Sequence, residues 1–177
     1  SEKAEILKSN PGKIFRRKEI KLNENFQPVI FCQEEIPCDP CTSICPIHSI
    51  KLEKIYGNIM DIPKYEGKCT GCQMCVAICP GLAITLARKV NDEYAEVVIP
   101  HEFNPGFKVG DKIPLTDQEG VILEDGEVLK RRLNKKFKTF LITVRTLLKN
   151  GANVAGIRIQ DKSVTEPLPE PSFNYLP

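Results

Sequence analysis

Eight cysteines fall between residues 32 and 79 of this 177-residue chain, and none lies outside that stretch. The second half of the run reads Cys69-Thr-Gly-Cys72-Gln-Met-Cys75-Val-Ala-Ile-Cys79-Pro80, with two, two and three residues between successive thiols and a proline after the last. Thiolates so closely spaced let one tight loop wrap a cube of iron and sulfide, while the fourth, expected at the start of a helix, points away towards a second cube. The chemistry this spacing supports is one-electron transfer through [4Fe-4S] clusters.

The first half repeats the theme with one departure. It runs Cys32-Gln-Glu-Glu-Ile-Pro-Cys38-Asp-Pro-Cys41-Thr-Ser-Ile-Cys45-Pro46, so Glu35 holds the place where the spacing asks for a first thiol and Cys32 lies three residues earlier. An enlarged loop accounts for this, because eight cysteines then supply two four-ligand clusters with none left over. The crossed assignment puts one cluster on Cys69, Cys72, Cys75 and Cys45, and the other on Cys32, Cys38, Cys41 and Cys79. Two alternatives stay open. Cys32 could be a buried strand cysteine ending Pro28-Val29-Ile30-Phe31, leaving three thiolates or an ill-matched carboxylate from Glu35 or Asp39. Cys-x2-Cys pairs also build structural zinc sites, although these need no third evenly spaced cysteine and no Cys-Pro ending.

The elements that must position these thiols follow from an internal repeat. An offset of 34 residues lays Cys38, Cys41 and Cys45 on Cys72, Cys75 and Cys79, Pro46 on Pro80 and Ile50 on Ile84. Each copy is expected to form a cysteine loop, a helical turn after Cys-Pro, and a brief strand at Ile50 to Leu52 or Ile84 to Leu86. Gly71 is the natural place for a positive φ that turns backbone N–H groups towards sulfur. Pro46 and Pro80 are expected to shield the crossover thiols from water, and Tyr65 to pack over a cluster.

Beyond the cysteines the composition changes. Residues 1–28 read as a polar, basic arm, 29–90 as the cysteine module, 91–165 as a small β-rich domain, and 166–177 as a proline-rich tail. The β-rich part shows short runs at Ala95 to Ile99, Lys112 to Leu115, Val121 to Leu123, Glu127 to Leu129 and Phe137 to Val144. Turns such as Glu124-Asp125-Gly126 between them suggest a small antiparallel sheet or barrel. Thr143 to Lys149, closed by Asn150-Gly151, reads alternatively as a short helix. The fold class expected is α+β.

Bulk properties narrow the function. No stretch approaches the roughly 18 apolar residues that span a bilayer, and Ser1 to Asn10 lacks a secretory apolar run, so a soluble, cytoplasmic protein without a membrane partner is expected. In that reducing compartment the cysteines are metal ligands rather than disulfides. The formal charge of +2 treats every thiol as neutral, and two oxidised clusters would carry the chain to about −2. Lys130, Arg131, Arg132, Lys135, Lys136 and Lys138 form a basic run that reads as a solvated strand face or, if functional, as a match for an acidic partner rather than nucleic acid. Neither dinucleotide nor nucleotide-triphosphate loops are present, and His48 and His101 sit in no recognisable catalytic arrangement. No catalytic residue is expected.

The cysteine pattern over Phe31 to Lys89 resembles the bacterial two-cluster ferredoxin family. That resemblance implies a pseudo-twofold module with its two clusters close together. The phrase Glu34-Glu35-Ile36-Pro37-Cys38-Asp39-Pro40-Cys41, Cys-Pro-Gly-Leu-Ala-Ile at 79 to 84, and the β-rich extension look like the small iron-sulfur subunits of multisubunit flavin-dependent amino-acid dehydrogenases of the proline type. This implies an FAD-bearing partner in a hetero-oligomer, with the present chain relaying single electrons. A free low-potential ferredoxin and an assembly subunit with structural clusters are the alternatives.

Overall fold

Prolines and β-branched residues decide where this chain is helical and where it is extended. The computed structural model describes residues 19–32, 37–52 and 62–159. Glu35, residues 1–18 of the arm and the proline-rich tail lie outside the described residues.

Two short helices, α1 (Pro40–Ile44) and α2 (Met74–Ile78), stand at the same place in the two copies of the repeat. Both precede the Cys-Pro step instead of following it, which corrects the expectation from sequence. The reason is the proline: its ring disfavours helical backbone at the residue before it. Cys45 and Cys79 are therefore extended C-caps, each with ψ of 114°. The brief strands follow as β2 (Ile50–Lys51), paired with β3 (Lys64–Tyr65), and as β4 (Ile84–Lys89).

β4 belongs to a seven-stranded antiparallel sheet. Its other strands are β1 (Gln27–Ile30), β5 (Tyr94–His101), β6 (Lys112–Thr116), β7 (Ile122–Asn134), β8 (Thr139–Leu147) and β9 (Gly156–Ile157), in the order β1-β4-β5-β8-β7-β6-β9. The boundary expected at residues 90 and 91 falls in a hairpin turn, since Leu86–Lys89 pairs directly with Ala95–Val98. Cysteine module and β-rich extension thus share one sheet. Pro28 lies on edge strand β1 and Pro100 past the end of the β4 ladder, where a missing N–H breaks little.

β7 runs unbroken through Glu124-Asp125-Gly126, where the sequence suggested a turn. Gly126 instead permits close packing: a Cβ there would come within 2.9 Å of Leu115 Cγ and 3.0 Å of the Arg145 carbonyl. β8 likewise holds extended backbone to Leu147, and only Leu148–Gly151 (α3) is helical.

Successive residues of β4 and β5 are buried, so both sheet faces are covered at the centre. One face packs Ala87, Val97, Ile99, Ile142 and Val144 with Leu22 and Val154. The other packs Ile84, Leu86, Val98 and Leu141 against Val76 and Ala77 of α2, with Cys41, Cys75 and Ile50 in the same cluster. Cys41, Cys69, Cys75 and Cys79 therefore sit on an apolar floor.

Candidate metal centre

The two copies agree in backbone detail. His48 and Leu82 both hold left-handed backbone, with φ of 52° and 50°. Their N–H groups donate to the Cys45 and Cys79 carbonyls at 3.1 and 3.2 Å. The next amides, Ser49 and Ala83, donate to the Cys45 and Cys79 thiols at 3.4 and 3.3 Å. Gly71, at φ 72°, donates its N–H to Cys69 Sγ at 3.3 Å. Amides aimed at sulfur are suited to holding negative charge there.

The eight thiols fall into two sets of four. Burial, then the nearby Cys79 and Cys32, raise the Cys38 thiol; burial, then Cys79 and Cys38, push Cys41 up to about 11. Burial, then Cys69, Cys72 and Cys45, push Cys75 up to about 12, and burial with Cys72 and Cys45 raises Cys69 despite the Gly71 amide. Burial also acts on Cys45, but the amides of Ser49, Ile47, Ile50 and His48 outweigh it and draw that thiol below its ordinary value. Each set thus joins three cysteines of one motif to the crossover cysteine of the other. Cys45, Cys69, Cys72 and Cys75 line a common pocket with Tyr65, Gln73 and Leu86. Among the described residues no three His, Cys, Asp or Glu side chains converge as for a single metal ion. Four thiols spread round a pocket, with amides behind them, fit a polynuclear iron-sulfide group, whose positive irons would offset the crowded sulfur charge.

Other expected residues are placed as follows. Tyr65 lines the first pocket and its hydroxyl donates to the Gly67 carbonyl at 3.0 Å. Burial, then Cys69 and Cys45, raise its phenol. Pro46 and Pro80 are exposed, as residues covering a thiol from outside would be. Cys41 and Cys75 are buried and Cys72 is exposed.

Three supporting residues gave no motif signal, and a fourth, Arg132, was marked only as part of the basic run. Ser49 is buried, and its hydroxyl donates to the Lys68 carbonyl, tying the first copy to the loop before Cys69. Phe26 stacks under the Arg88 guanidinium, 4.7 Å from its ring centre, and lies against Gly71. Thr139 Oγ1 donates to the Ala77 carbonyl at 3.0 Å, and Arg132 Nη2 to Gln73 Oε1 at 2.9 Å. Only the Ser49 position was within reach of sequence, through its place four residues after Cys45.

Comparison with known protein families matches residues 62–85 to the 4Fe-4S binding domain. The match covers Cys69, Cys72, Cys75 and Cys79. A 4Fe-4S binding domain is therefore present, and it supports an iron-sulfur, ferredoxin-like protein with an electron-transfer role. No curated protein and no solved structure matches the chain. Among the described residues no helix is long and apolar enough to cross a membrane.

Proposed function

We propose that this chain is an electron-transfer subunit with a two-cluster ferredoxin arrangement, bearing one [4Fe-4S] cluster on Cys45, Cys69, Cys72 and Cys75 and a second on Cys32, Cys38, Cys41 and Cys79. The observation that carries this reading is the sorting of the eight thiols into two sets, each with a crossover member from the other motif. When bound, such clusters accept and release single electrons. The chain's own residues set how readily. The Ser49, Ala83 and Gly71 amides stabilise added negative charge on sulfur, and the apolar floor of Leu86, Val98 and Leu141 opposes it by excluding water. Cys72 marks the most open approach.

The sequence carries no Gly-x-Gly-x-x-Gly and no Gly-x4-Gly-Lys-Ser/Thr loop, and on this reading the substrate chemistry lies with a partner. We assign that role to an FAD-bearing dehydrogenase in a cytoplasmic hetero-oligomer oxidising an amino acid or amine, on the resemblance of the Cys38 and Cys79 phrases. Anaerobic purification tests both levels. The two-cluster reading predicts about eight irons and eight sulfides per chain, absorbance near about 400 nm, and paramagnetic signals on reduction. About four irons per chain would remove the second cluster, and a colourless zinc protein would sink the reading entirely. A flavoprotein co-purifying from native cells supports the complex; a monomer without one favours the free carrier.

A further inference from the structure

We propose that the rim of the β7–β8 hairpin, where Lys130, Arg132, Lys135, Lys136 and Lys138 stand beside the Cys72–Gln73 corner, is the docking surface for an acidic redox protein, an assignment that rests on a cluster at Cys45, Cys69, Cys72 and Cys75.

Residues 130–138 contain six lysines and arginines and no acid. What that run does depends on which sheet face each residue takes, and the register decides it. Residues directly opposite on neighbouring antiparallel strands share a face. Arg132 lies opposite Leu141 and Lys130 opposite Thr143, which in turn faces Val98. Leu141 and Val98 belong to the floor under α2, so Lys130 and Arg132 are on the cysteine-bearing side. Arg131, one residue out of phase, is on the other side, where its Nη1 donates to the Pro105 and Phe107 carbonyls at 2.9 and 2.8 Å. The shift in pairing between Val128 and Lys130 sets this phase.

The rim is fastened to the cysteine loop at two points. Arg132 reaches Gln73, between Cys72 and Cys75, and Thr139 reaches Ala77 at the end of α2. Lys135, Lys136 and Lys138 occupy the turn between these anchors, and all are exposed. Among the described residues no ion pair involves any of these lysines or Arg132. A held cluster of like charges repels itself, and an opposite surface relieves the repulsion while steering encounter. The exposed Cys72 lies where such a partner would arrive. Nucleic acid is a poorer fit, because Phe137, the one aromatic in the run, packs into the floor and lies under Lys136 Nζ at 5.3 Å from its ring centre.

The test uses two one-electron oxidants of opposite charge on the reduced full chain: tris(oxalato)cobaltate(III), an anion, and hexaamminecobalt(III), a cation. Each cobalt takes one electron from a reduced cluster and becomes cobalt(II). Replacing Lys130, Arg132, Lys135, Lys136 and Lys138 together by Gln should slow the anion roughly tenfold at low ionic strength and leave the cation no slower. Arg132→Lys alone should keep the anion rate, and polyglutamate should compete with the anion only on the unsubstituted chain. Equal slowing of both oxidants, or none for the anion, overturns the docking surface. A DNA oligonucleotide bound at about 0.15 M salt by the unsubstituted chain and released by the variant overturns it in favour of nucleic acid. Absence of absorbance near about 400 nm in the unsubstituted chain would refute the cluster itself instead.

Discussion

His48 and Leu82 occupy equivalent places in the two copies and share a left-handed backbone, at φ 52° and 50°. Neither is glycine, and an L side chain there costs about 1–2 kcal/mol. That conformation brings the following amide back onto the crossover thiol. The repeat thus keeps a strained joint in both halves.

His48 is exposed, so its side chain can be changed without disturbing packing. His48→Gly should leave stability equal or higher by up to about 1 kcal/mol, while the β-branched His48→Val should lower it by about 1–2 kcal/mol. Denaturation followed by loss of cluster absorbance checks both. Equal stability of the two variants would show that the joint carries no strain.

Ligand sets can be separated by single substitutions. Cys45→Ser should damage the same cluster as Cys75→Ser although the two residues belong to different motifs, and Cys32→Ser should damage the other. Iron content and paramagnetic resonance of each variant read this out, with about half the iron lost each time. An intact pair of clusters in Cys32→Ser would make Cys32 a strand cysteine after all.

Gly126→Ala tests the close contact of β6 and β7 independently of iron. The new methyl meets Leu115 and the Arg145 carbonyl, and overpacking of this kind costs about 1–3 kcal/mol. The thermal midpoint should fall while the cluster spectrum of the folded protein stays unchanged.

His101 gives the fold an acid sensitivity. Burial lowers its pKa from 6.5, partly offset by Glu102; among the described residues Nε2 is buried with no hydrogen-bond partner, and the ring lies 6.4 Å from those of Phe103 and Phe107, centre to centre. A histidine with a depressed folded pKa adds stability that is present above about pH 6.5 and lost as pH falls towards the folded value. Stability should decline from about pH 7 to pH 5, and His101→Phe should flatten that slope in denaturant titrations at the two pH values.

The thiol spacings, the repeat offset and the Cys-Pro steps stand in the sequence because they are local: a loop that wraps a cluster and a proline that ends a helix act within a few residues. The need for a turning glycine at Gly71 was legible for the same reason. Long-range matters were not. The order of the sheet beyond the β4–β5 hairpin and the unbroken β7 through Gly126 depend on which distant strands meet. The basic run shows this most plainly. Lys130, Arg131 and Arg132 are one stretch of charge on paper, yet a shift of pairing beside Lys130 sends Arg132 to Gln73 and Arg131 to the opposite face. Composition set the charge; strand register, a property of paired strands alone, decided what that charge faces.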